Sequence, residues 1–158
     1  MILVITGSQN FQFNRLIEQV DILIISNRLP YKVFAQIGHS TYSPTSFQYK
    51  KFVSKSEMND LIKKAKIIIS HAGSASITSA LKANKKIICI PRLKKYNEHI
   101  DDHQLEITSK FKELEVLEVI ISEDDLHDAI KKIEDTKYNK FVFNNVSLIN
   151  SIKAIIDE

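Results

Sequence analysis

The chain has 158 residues, enough for one domain with a real core and too short for two ordinary ones. Apolar residues make up 44% and charged residues 26%, which are globular values and exclude disorder as the default. A net charge of +3 is too weak to argue for a nucleic-acid partner, and no apolar run approaches the ~20 residues that span a bilayer.

In chain order, Ile2 to Thr6 is a continuous apolar run, as in a strand buried on both faces. It follows Met1 with no basic leader and no small-residue cleavage site, so the expectation is no signal peptide and a cytoplasmic location. Gly7-Ser8-Gln9-Asn10 ends the strand. Asn14 to Ile25 carries Leu16, Val20, Leu23 and Ile24 at helical spacing. Lys32 to Ile37 is a second strand, closed by Gly38-His39-Ser40, and Phe52-Val53 is a short third one. Ser54 to Glu57 is a capping box that opens a helix through Ala65.

The central unit follows. Ile67-Ile68-Ile69 is a strand, Ser70 to Ser76 a small-residue turn, Ile77 to Asn84 a helix, and Ile87 to Ile90 a strand that stops at Pro91. Cys89, the single cysteine, lies in that strand; it excludes an internal disulfide and reads as packing. Arg92 to His99 reads as a basic, solvated loop. Asp101 to Leu114 is helical, Val116 to Ile121 is a last strand, and Ser122 to Asp125 is a second capping box before a helix with Leu126, Ile130 and Ile133. Thr136 to Asn145 is a linker. Val146 to Ile156 is a terminal helix whose apolar face could dock on the core, on a partner or on a second copy of the chain.

Strands alternating with helices predict a single α/β domain over 1–158: a Rossmann-like open parallel sheet with helices on both faces. Ligands then sit beyond the carboxyl ends of the strands. Three turns, Gly7-Ser8-Gln9, Gly38-His39-Ser40 and Ser70 to Ser76, share that edge.

Gly73 to Ser76 has two readings. A glycine followed by the free N–H groups of a helix start suits a diphosphate, and the same residues suit a plain capped turn. Neither GxGxxG nor a P-loop is present. His71, at the strand end, could meet a ligand or hold the turn. His99, Asp101, Asp102 and His103 raise a metal site, with the two histidines four apart, but Ile100 stands where a zincin has Glu and no obvious third ligand completes the set, so no metal is expected. Asp102 and Gln104 suit sugar hydroxyls or a helix cap. Arg92, Lys94 and Lys95 suit a phosphate, an anionic membrane or plain solvent. No nucleophile elbow is present.

Ser70 to Ile77 and Ile90 to Glu106, with Thr6-Gly7-Ser8-Gln9, Phe13 to Ile17 and Gln36 to Ser40, closely resemble the C-terminal domain of glycosyltransferase family 28. The resemblance runs from Met1 to about Ile121. It is strongest to the small subunit of two-chain bacterial exopolysaccharide or capsular polysaccharide glycosyltransferases. It implies the donor half of a GT-B enzyme, using a UDP-sugar as substrate with no cofactor and no metal. The acceptor half would be a separate, membrane-anchored subunit acting on a lipid-linked saccharide. This chain would then be peripheral at the cytoplasmic face.

By the same resemblance, Gly73, Ser74 and Ser76 lie under the diphosphate, and Gly7, Ser8 and Gln9 face the phosphates or sugar. Asp102, His103 and Gln104 match the sugar-proximal motif, with Gln104 on a sugar hydroxyl. No general base is assigned; His39 is a local candidate. Ser79 stands at the ribose-binding position, where the family has Glu; it is shorter and uncharged, so the ribose contact there is lost or water-mediated. The chain departs from the pattern also at Ala72 and Ala75, in place of glycines, and at Asn84-Lys85-Lys86, in place of Gly-Lys-Pro. These changes bear on nucleotide affinity and leave a non-catalytic structural subunit as the alternative.

Overall fold

The computed structural model describes residues 1–142, so the expected helix Val146 to Ile156 lies outside the described residues. Six strands form one sheet: β1 (Ile2–Ile5), β2 (Val33–Gln36), β3 (Gln48–Lys50), β4 (Ile67–His71), β5 (Lys86–Ile90) and β6 (Glu118–Val119). Every pairing is parallel and the order is β3-β2-β1-β4-β5-β6. The helices are α1 (Asn14–Ile25), α2 (Lys55–Lys64), α3 (Ser74–Lys82), α4 (His103–Glu113) and α5 (Leu126–Asp135), with short 3-10 turns at Lys94–Tyr96 and Glu123–Asp125. This is the expected Rossmann-like α/β fold.

Alternation along the strands divides the core in two. Ile2, Val4, Ile67, Ile69, Ile88 and Ile90 pack with Leu16, Val20, Leu23, Ile130 and Ile133 of α1 and α5. Leu3, Ile5, Ile68, Ile87 and Cys89 pack with Ile62, Ile77, Leu81, Ile107 and Phe111 of α2, α3 and α4. The continuous apolar runs therefore reflect strands covered on both sides. Burial raises the Cys89 thiol pKa, so the thiol stays protonated and acts as packing.

Three expectations shift. The third strand is Gln48–Lys50, not Phe52-Val53; it is a fully exposed edge, paired through its backbone with Phe34, Ala35 and Gln36. The last strand shrinks to Glu118–Val119, because Val116 and Leu117 are buried without joining the ladder. Arg92 is not solvated: its side chain is completely buried.

Local chemistry sets the boundaries. The Ser54 hydroxyl accepts from the Glu57 N–H and caps α2. After α3, Asn84 takes φ +52, and its N–H and that of Lys85 return to the Leu81 and Ala80 carbonyls. Asn tolerates this left-handed position, so it can stand where the family has Gly. All three glycines of the chain, Gly7, Gly38 and Gly73, lie just past the ends of β1, β2 and β4.

Candidate functional site

The strand order reverses between β1 and β4: β2 and β3 lie to one side of β1, and β4, β5 and β6 to the other. A crevice opens beyond the carboxyl ends of β1 and β4, the usual ligand position in such a sheet. The Gly7 turn forms one wall. Its φ of +86 favours glycine, and the buried Gln36 side chain grips it at both backbone atoms. Gly7 N–H donates to Gln36 Oε1 (3.1 Å), and Gln36 Nε2 donates to the Gly7 carbonyl (2.9 Å) and the Lys51 carbonyl (2.9 Å).

His71 forms the floor. Its ring lies so close to Gly7 and Gly73 that a Cβ at either position would overlap it. Nδ1 is 3.2 Å from the Ile5 carbonyl, which can only accept, so Nδ1 carries the proton. Burial, then the nearby charge of Arg92, pushes the His71 pKa down to about 4. His71 is thus a neutral spacer that holds β1 and β4 at a set distance, and it adds no charge at neutral pH.

The facing wall is α3. Ser74, Ala75 and Ser76 occupy its first turn, where helix geometry leaves backbone N–H groups without intrahelical acceptors. Gly73 precedes them with no side-chain cap, which keeps that end open. The far rim comes from the segment before α4. His99 Nδ1 lies 2.9 Å from Asp101 Oδ1, and His99 Nε2 lies 3.1 Å from Gln9 Oε1, so this ring joins the two loops. Asp101 Oδ1 also accepts the His103 N–H (3.1 Å). Burial works against the Asp101 charge, yet that N–H and the two histidines hold its pKa below the usual carboxylate value.

Together these elements enclose a cavity of about 470 Å³. Among the expected residues, Gly7, Ser8, Gln9, Gly73, Ser74, Ser76, His103 and Gln104 line it. Ser79 is exposed and Asp102 is turned away, its Oδ1 accepting the Lys94 N–H (2.9 Å); neither lines the cavity. Gln104 reaches it with one end committed, because its Oε1 accepts the Arg92 N–H (2.9 Å). His39 lies in a separate strand-end cavity, edge-on to Phe52. Among the described residues no set of three His, Cys, Asp or Glu is placed to hold a metal.

Sequence reasoning missed two features. His99 and Asp101 were weighed only as metal ligands, and they are rim residues instead. The neighbouring charge cluster was not foreseen either. Arg15 pairs with the buried Glu98 (2.7 Å) and with Glu123 (2.8 Å), and its N–H also reaches the Pro91 carbonyl (2.8 Å). These contacts bind α1 to the segment after β5. The only sequence signal was an acid in a basic stretch.

The family model for the glycosyltransferase family 28 C-terminal domain matches residues 1–157. A Candida albicans relative, UDP-N-acetylglucosamine transferase subunit ALG13, is 30% identical over 113 residues. That match covers 72% of this chain and 37% of the relative, so the chain spans little more than a third of that protein's length. The solution structure of an ALG13 superposes with a TM-score of 0.62 at 19% identity, over 96% of this chain and 94% of that one. MurG of Acinetobacter baumannii gives 0.55 at 15% identity, over 98% of this chain and 49% of that one. At such identities these structures speak to the fold alone, which is that of a GT-B C-terminal domain. On the match over nearly its whole length, the chain belongs to glycosyltransferase family 28, of which it is a C-terminal domain.

Proposed function

We propose that this chain is the donor-binding subunit of an inverting, UDP-sugar-dependent glycosyltransferase. One observation carries the reading: Gly7 to Gln9 and the first turn of α3 converge on one cavity at the sheet's switch point. Its volume of about 470 Å³ falls in the usual range for small-ligand sites. The diphosphate would lie against the α3 amides, and the hexose near His103 and Gln104. As the glycosidic bond to UDP breaks, negative charge grows on the leaving phosphate. Fixed N–H groups and the helix dipole stabilise that charge without reorganisation, so no metal is required.

The acceptor would be held elsewhere. A relative described as a transferase subunit supports a two-chain arrangement. In this reading the partner is membrane-anchored and binds a lipid-linked saccharide, and the complex works at the cytoplasmic membrane face in exopolysaccharide or capsule synthesis. The partner supplies the general base, with His39 as the local alternative because its cavity opens on the same strand-end edge.

Thermal unfolding with added nucleotides tests the reading. UDP at about 100 times its Kd adds roughly 2.7 kcal/mol of stability and raises Tm by several degrees. GDP and ADP raise it less. No response to millimolar UDP, alone or with the partner present, would contradict the assignment.

The placement of Ser79 favours a second reading, a structural subunit with a degenerate nucleotide site. Position 79 holds serine, which has no carboxylate, and its short side chain is exposed outside the cavity lining, so no ribose carboxylate is supplied there. Under this reading Ser79→Glu raises UDP affinity about tenfold while the activity of the complex stays unchanged.

A further inference from the structure

Among the described residues lining the cavity there is no Lys or Arg, although the proposed ligand carries a diphosphate. The nearest buried cation is Arg92, whose charge acts on His71 of the cavity floor. Arg92 follows β5 and Pro91, and its side chain is fully enclosed. Nη2 donates to the Thr6 carbonyl (2.5 Å) and the Phe11 carbonyl (3.2 Å), the two ends of the loop that carries Gly7, Ser8 and Gln9. Its backbone N–H holds Gln104 Oε1. The guanidinium lies 5.7 Å from the centre of the Phe13 ring.

This arrangement is costly for a purely structural residue. Nε and Nη1 are buried and have no hydrogen-bond partner. Glu98 is near enough to favour the charge, but its oxygens are taken by Arg15 and by the Leu93 N–H. Burial lowers the Arg92 pKa to about 10, which still leaves a cation at neutral pH. A buried charge without a close counter-ion is unfavourable by several kcal/mol, and an apolar residue of similar size would avoid that penalty. A buried charge also acts on its surroundings with little screening.

We propose that Arg92 is a positioning residue of the donor site: it clamps the Gly7–Gln9 loop by both ends and places a fixed positive charge under the diphosphate. The proposal rests on the nucleotide-sugar reading above. It extends that reading to a residue outside the cavity lining, and it assigns the recognition of charge to the fold beneath the site as well as to α3.

The test uses the full chain, the Arg92→Met and Arg92→Lys variants, and two probes, UDP and uridine. Titrations are followed by backbone amide NMR, and hydrogen exchange is measured without ligand. Arg92→Met should weaken UDP binding by about tenfold or more while uridine binding changes by less than about twofold, since only UDP carries the charge that Arg92 faces. Gly7 and Phe11 amides should exchange at least about tenfold faster, while those of Leu3 to Ile5 keep their protection. Arg92→Lys keeps the charge with one compact donor group, so it should restore most of the UDP-to-uridine ratio and little of the loop protection.

Equal losses for UDP and uridine, or unchanged loop exchange in both variants, would overturn the proposal. If Arg92→Met does not fold, the lysine variant alone decides, because a merely structural arginine predicts no split between its two readouts. If the native chain binds neither probe, the nucleotide reading fails first. The loop exchange then tests the clamp alone, and unchanged exchange overturns it.

Discussion

Asp21 shows how one side chain governs a loop. It sits on the inner face of α1, fully buried, and its carboxylate accepts from Tyr42 Oη (2.9 Å), the Thr45 N–H (3.0 Å) and the Ser46 N–H (2.9 Å). The hydroxyls of Thr45 and Ser46 add to these. Burial opposes the charge, but the Ser46 and Thr45 donors outweigh it and hold the Asp21 pKa below the ordinary value. Asp21→Asn turns one acceptor into a donor facing donors and should cost about 3 kcal/mol, read as a lower urea midpoint with an unchanged slope. His71 acts in a different pH window. Its folded pKa of about 4 lies below the unfolded value of 6.5, so the unfolded chain binds the proton more readily. Its contribution is complete above pH 6.5 and is lost as pH falls towards 4, by roughly 3 kcal/mol. Urea midpoints at pH 7 and pH 4.5 should therefore differ more in the native chain than in His71→Gln.

Among the elements, those with strong local signals were legible. α1 runs over the expected residues, Asn14–Ile25, because its apolar face repeats at helical spacing. β1, β4 and β5 were legible as apolar runs because both faces of each are covered. The cap at Ser54 is a two-residue code, and Ser54→Ala should cost about 1 kcal/mol in thermal unfolding. Asn84, at φ +52, should accept Gly with little change, while Asn84→Val should lose roughly 1–2 kcal/mol through strain at a left-handed position. β3 was not legible. Its residues, Gln48, Tyr49 and Lys50, are all exposed, so backbone pairing at the sheet edge leaves no apolar pattern, and Phe52-Val53 drew the assignment instead. Arg92 was misread for the converse reason, because its burial depends on Thr6 and Phe11, more than eighty positions away. The contact of His99 with Gln9 spans 90 positions and has no local signature.

For the whole molecule, topology assembles the site. A parallel sheet in the order β3-β2-β1-β4-β5-β6 places the turns after β1 and β4 side by side, with α3 starting from the second of them. The turn after β2 opens on the neighbouring cavity, which contains His39. Convergence of strand-end turns was therefore readable from the alternation of strands and helices. Which side chains reach the cavity was not, because Asp102 and Ser79 point elsewhere by details of helix phase and loop packing. The central claim is that the cavity between β1 and β4 binds the diphosphate of a UDP-sugar. A UDP titration of the chain followed by backbone amide NMR tests it most directly. The account predicts saturable shifts at Gly7 to Gln9 and Gly73 to Ser76, with smaller ones at His103 and Gln104 and little change at His39. Shifts confined to the His39 cavity or spread over surface lysines, or none at millimolar UDP with or without the partner, would contradict it.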